Sequence, residues 1–137
     1  MGQDMIEGVR ALRPFVPARE FQTSWRFYEA LGFRAEPLGD KLVEMHLGAH
    51  SFLLQDHYVA DWAGNFMMHV LVDDLDAYWK HITSLDLSGG FGVPEPRAPK
   101  TEPWGLRVAY VIDPSGVLWH FAEMLKTAVG QSEAPRS

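Results

Sequence analysis

The feature that most constrains this chain is that its pattern occurs twice. The segment "ALRPFVPAREFQTSWRFYEALGF", Ala11 to Phe33, passes from strand-forming residues into a helix. Phe21, Trp25, Tyr28 and Leu31 are spaced to share one face of that helix. Gly32 supplies the stop, because a residue free to take positive φ closes helices readily. Displaced by 54 positions, "FMMHVLVDDLDAYWKHITSLDL" again gives a strand, an acidic pair and a helix. Leu75, Trp79, Ile82 and Leu85 fall on Phe21, Trp25, Tyr28 and Leu31, and Asp74 falls on Glu20. One or two matches would be coincidence. A whole apolar stripe with its acidic start argues for duplication. Asp73, Asp74 and Asp76 also suit the positive end of the second helix's dipole.

Strand material follows each helix. After the first come "FRAE", a Gly-Asp turn, "KLVEMHL" and "SFLLQD". After the second come "SGGFGVPE", a proline-rich loop from Pro94 to Pro103, "LRVAYVI" and "VLWHFAE". The expected fold is therefore α+β, two tandem βαβββ modules at about 12–56 and 66–123. Together they make one domain over 9–125, and the stripe-free tail 126–137 is expected to be flexible. Pro14 and Pro17 point to an irregular edge for the first strand.

Composition removes several function classes. The chain has 137 residues and no cysteine, which excludes disulfides, thiolate nucleophiles and thiolate metal sites. Its net charge is −6 with no basic block, so no nucleic-acid partner is expected. No apolar run approaches the ~20 residues that span a bilayer. "MGQDMIEG" has no cationic stretch leading into an apolar one, so no membrane partner and a cytoplasmic location are expected.

The motifs "FYEALGF" (Phe27 to Phe33), "VDDLDAYW" (Val72 to Trp79), "PWG" (Pro103 to Gly105) and "DPSGVLWHFAE" (Asp113 to Glu123) resemble the vicinal oxygen chelate superfamily. That group contains glyoxalases, extradiol dioxygenases and bleomycin-resistance proteins, and the likeness runs from Leu12 to Glu123. It leans toward the bleomycin-resistance branch. The resemblance implies two half-barrel sheets whose concave faces enclose a cavity and whose outer faces carry the helices. It also implies a homodimer with the pocket at or near the subunit boundary.

Metal-dependent relatives carry four ligand positions on inward-facing strands. Carried over by offset, they fall on Arg13, Met67, His120 and one residue within Phe52 to Gln55, where only Gln55 has a ligating atom. A guanidinium offers no lone pair, and a thioether suits cuprous ions rather than Zn, Fe, Mn or Ni. A catalytic metal needs about three protein ligands. The expected metal and cofactor content is none. A relocated set is the competing possibility: His69 shares a face with Met67, and Glu44 shares one with His46, opposite the apolar Val43, Met45 and Leu47. His69, His120, Glu44 and His46 would then point into one cavity.

Single histidines on strands are commonly satisfied structural residues, and His50, His57 and His81 are read that way. His69 and His120 sit where relatives place ligands, so both are expected to face a cavity and meet a bound molecule. Trp25 and Trp79 belong to the helix stripes, and Trp119 and Phe121 alternate with His120 and face a helix. Trp104, Trp62, Phe15 and Tyr110 remain as aromatic pocket walls, Trp62 being equally suited to a dimer interface. The expected binding set is His69, His120, Trp104, Trp62, Phe15, Tyr110, Glu44, His46 and Gln55. The function expected is metal-independent sequestration of an aromatic or cationic organic compound, as in antibiotic resistance. The alternative is a lyase, isomerase or dioxygenase using a rebuilt His/Glu metal site, or acid–base chemistry at His69 or His120.

Overall fold

The computed structural model describes residues 7–125; the expected flexible tail at 126–137 lies outside the described residues. The repeat is visible directly in the elements. The first module runs β1 (Phe15–Pro17), α1 (Phe21–Leu31), β2 (Arg34–Gly39), β3 (Leu42–Leu47) and β4 (His50–Gln55). After the short α2 (Ala60–Gly64), the second runs β5 (Met67–Leu71), α3 (Leu75–Ser84), α4 (Leu87–Phe91), β6 (Arg97–Thr101), β7 (Leu106–Ile112) and β8 (Leu118–Met124). Two four-stranded mixed sheets result, in the orders β1-β4-β3-β2 and β5-β8-β7-β6. Each has one parallel pair, β1 with β4 and β5 with β8. Neither sheet closes on itself, and among the described residues β1, β2, β5 and β6 are the edges.

The helix faces of the sheets make the core. Val16, Val43, Met45, Phe52 and Leu54 of the first sheet are buried, as are Ala109, Val111, Trp119 and Phe121 of the second. Trp119 joins the modules: its ring lies 5.4 to 5.5 Å from those of Tyr28, Phe33 and Phe52. Its indole N–H donates to Tyr28 Oη at 2.9 Å. The Asp-Pro-Ser-Gly turn has the same purpose. Asp113 accepts from the Tyr28 hydroxyl at 2.5 Å and from the backbone N–H groups of Ser115 and Val117. The motif pairs "FYEALGF" and "DPSG" therefore meet in one buried network.

The helix ends behave as the residues dictate, with one asymmetry. Gly32 adopts φ 116°, and the N–H groups of Gly32 and Phe33 donate to Glu29 O and Tyr28 O. Asp74 caps α3 by accepting from Ala77 N at 3.0 Å, whereas its counterpart Glu20 makes no side-chain cap. Asp74→Ala should therefore lower stability by about 1 kcal/mol and Glu20→Ala by only a few tenths, as read from urea denaturation.

Three expectations need correction. "SGGFGVPE" contributes no strand: Ser88 to Phe91 lie in α4, where Asp86 accepts from Gly89 N at 3.3 Å. The second strand of the second module is instead β6, inside the supposed proline-rich loop. Pro99 is tolerated there because β6 is an edge, and its pairing to β7 shifts register between Arg97 and Lys100. Trp62 is on the short α2 rather than in a loop. The helix stripe also differs in detail, since α1 buries Ser24 and Phe27 and leaves Trp25 half-buried.

Candidate functional site

The faces turned away from the helices carry the chemistry, and strand register places each residue. On the first sheet Phe15, Leu53, Glu44 and Glu36 lie in one row across β1, β4, β3 and β2. Ser51, His46 and Arg34 form the next row, and Gln55 lies beside Leu42 and Pro17. On the second sheet His69, His120, Tyr110 and Arg97 form a row across β5, β8, β7 and β6. Met67 and Leu71 flank His69 on the same face and are 61% and 55% exposed.

Two polar clusters follow. In the first, Glu44 is buried, and its Oε2 accepts from Ser51 Oγ at 2.7 Å and pairs with Arg13 Nε at 2.7 Å. The Ser51 hydrogen bond and the charges of Arg13 and His46 hold the Glu44 pKa below the usual carboxylate value, against the opposing effect of burial. His46 Nε2 stands 2.9 Å from Glu36 Oε1. In the second, the His120 ring lies 5.9 Å from His69 and 4.9 Å from Tyr110. The Tyr110 hydroxyl donates to the buried Glu102 at 2.6 Å. Burial, with Glu102 adding to it, raises the Tyr110 pKa to about 12. Burial and then the charge of His69 lower that of His120, so its imidazole is neutral at pH 7.

The expected site residues thus fall in separate places. Phe15, Gln55 and Trp62 line one shallow pocket of about 270 Å³ with Pro17 and Phe66. His69 and Leu71 line a groove of about 330 Å³ between the modules, with His50, Ser51 and Phe52 opposite. Trp104 is at the tip of the β6–β7 turn and 57% exposed. Glu44 and His46 belong to the first sheet, His69, His120 and Tyr110 to the second. The relocated metal set is not assembled: among the described residues, the donors within ligating reach of one another are Glu36, Glu44 and His46.

Nor do the inherited ligand positions fit a metal. Arg13 faces Ser51 at 3.1 Å, so register selects Ser51 rather than any of Phe52 to Gln55 as its neighbour. A guanidinium, a hydroxyl and the Met67 thioether do not complete a site around His120. Sequence reasoning overlooked Glu36, Ser51 and Glu102. Glu36 was beyond its reach: the pairing of Gly39 with Leu42 would set residue 36 opposite residue 45, and a register shift between Pro37 and Gly39 sets it opposite Glu44 instead.

Among the described residues, no helix is long and apolar enough to cross a membrane. The model of the Glyoxalase/Bleomycin resistance protein/Dioxygenase superfamily matches residues 10–121. A bleomycin resistance protein of Klebsiella pneumoniae is 30% identical over 115 residues, covering 77% of this chain and 85% of that protein. The structure of a bleomycin-binding protein complexed with bleomycin superposes with a TM-score of 0.71 at 24% identity, over 84% of this chain and 98% of that one. A bleomycin resistance determinant encoded on transposon Tn5 gives a TM-score of 0.71 at 25% identity, over 85% and 98%. Two open mixed sheets with helices on one side are the architecture these proteins share with it. The chain belongs to the Glyoxalase/Bleomycin resistance protein/Dioxygenase superfamily.

Proposed function

We propose that this chain sequesters a small organic compound with flat aromatic and cationic parts, without converting it, and works in the cytoplasm as a homodimer. The observation that carries this reading is the open face of the second sheet. It presents an imidazole pair, His69 and His120, between the exposed side chains of Met67 and Leu71. Apolar surface of this kind is stabilised by being covered, by a ligand, a second chain or both. In the homodimer, the open face of one chain's first sheet covers that of its partner's second, and the pocket forms between them. Glu44 and Glu102, with the net charge of −6, favour a cationic guest. Arg13 and Met67 support a mechanism that uses no metal at the inherited positions. Bleomycin binding or resistance in these relatives agrees with sequestration.

Bleomycin is the first compound to test, by tryptophan fluorescence and calorimetry on the purified protein. Saturable binding with the compound recovered unchanged is expected. His69→Ala combined with His120→Ala should weaken it by about tenfold, the scale of one good buried contact. Affinity should also fall as pH drops through the lowered His120 pKa, where protonation sets a positive charge against a cationic guest. No binding of bleomycin or of any planar cation in a thermal-shift screen, or turnover of the bound compound, overturns the reading.

A further inference from the structure

We propose that Glu36, Glu44 and His46 form a binding site for a divalent first-row cation of the zinc class, on the open face of the first sheet. The site lies off the family's inherited ligand positions and shares Glu44 with the sequestration reading without resting on it; it also departs from the expectation that the chain takes no metal.

The backbone brings the donors together. Glu36 and Glu44 are direct partners across β2 and β3, and His46 is two residues beyond Glu44 on the same face. Like charges directly opposite each other on paired strands are destabilising unless something positive lies between them. Arg13 answers only half of that demand. It and Ser51 both engage Oε2 of Glu44, which fixes the carboxylate and leaves Oε1 turned toward the imidazole. Oε1 of this buried side chain has no hydrogen bond among the described residues. Its approach to His46 Nε2, at 3.6 Å, is too long for one.

His46 Nε2 and Glu36 Oε1 share a hydrogen bond, and a divalent ion can take the place of its proton. Ligands held about 2.1 Å from one tetrahedral ion stand about 3.4 Å apart. Nε2 lies 2.9 Å from Glu36 Oε1 and 3.6 Å from Glu44 Oε1, which brackets that value, and the three donor atoms are mutually within 4.8 Å. One imidazole nitrogen and two carboxylate oxygens match zinc, cobalt, nickel or manganese. Arg13 and Ser51 then orient the Glu44 ligand as outer partners of a metal site do. Glu36 is 53% exposed, so the ion has a path from solvent and keeps water in its remaining positions.

The test is a calorimetric titration of Zn²⁺ into untagged, chelator-treated, full-length protein at neutral pH, with Co²⁺ as a spectroscopic substitute. One Zn²⁺ per chain is expected, and Co²⁺ bands in the visible indicating mixed nitrogen and oxygen ligation. Affinity should drop at least about tenfold in Glu36→Gln, a surface change that leaves folding intact, and again in His46→Ala. It should also weaken with falling pH as the ligands take up protons. The His69→Ala, His120→Ala double variant should leave the zinc isotherm in place. Absence of zinc binding, binding indifferent to Glu36→Gln and His46→Ala, or binding lost in the double variant would each overturn the proposal.

Discussion

Asp113→Ala is expected to lower the unfolding free energy by about 3–5 kcal/mol, a large share of the stability of an ordinary domain. The side chain is buried and serves three donors, the Tyr28 hydroxyl and the N–H groups of Ser115 and Val117. Removing it strands all three, at about 1–3 kcal/mol for each buried donor that water does not reach. The turn it organises carries β8, so the loss extends beyond the hydrogen bonds. Tyr28→Phe should cost less, about 1–2 kcal/mol, because Asp113 keeps its backbone partners. Urea denaturation of both variants beside the parent measures the difference. Equal losses would mean that Asp113 matters only through Tyr28.

The same carboxyl has a pH signature. Burial raises its pKa above 3.8 in the folded protein, outweighing its hydrogen bonds. Between 3.8 and that raised value the folded state binds more protons than the unfolded one, so Asp113's contribution is full below 3.8 and is lost as pH rises through the folded value. Glu44, with its pKa lowered chiefly by Ser51, has the opposite sign: its contribution is present at neutral pH and lost as pH falls through its folded value. Comparing Asp113→Asn and Glu44→Gln with the parent at stepped acidic pH should therefore give stability differences that move in opposite directions.

The second large effect concerns assembly. Leu71→Asp should leave the monomer's stability within about 0.5 kcal/mol, since the side chain is 55% exposed on an edge strand. Under the proposed pairing of open faces it places a charge in a covered apolar patch. Dimer affinity and bleomycin affinity should then fall together by about a hundredfold. Sedimentation across a concentration series, run beside the calorimetry, reads both quantities. A variant that stays dimeric and binds normally would remove this face from the interface.

What could be read from residues alone followed local rules. The apolar stripes, the Gly32 stop and the acidic start of α3 are periodicity and capping, and these operate within a few residues whatever the rest of the chain does. Where local signals conflicted, the reading failed. "SGGFGVPE" looked extended because of its glycines, yet Asp86 holds those residues in a short helix. "RAPKT" looked like loop because it lies within a proline-rich stretch, yet an edge position asks nothing of the Pro99 nitrogen. The site was legible in the same partial way. Alternation set Glu44 with His46 and His69 with Met67, because the strand pleat has a fixed period of two, whereas the pairing of β5 with β8 is what brings His69 beside His120.

By itself, then, the sequence determined the two βαβββ modules, their family and the wrong ligand chemistry at Arg13 and Met67, since all three reside in residue type and spacing. Tertiary structure alone decided which groups meet. Register put Ser51 rather than Gln55 beside Arg13 and brought Glu36 to His46, and the two sheets parted Glu44 from His120. Contacts of this kind depend on strand partners that are distant in the chain, and no local pattern of residues encodes them.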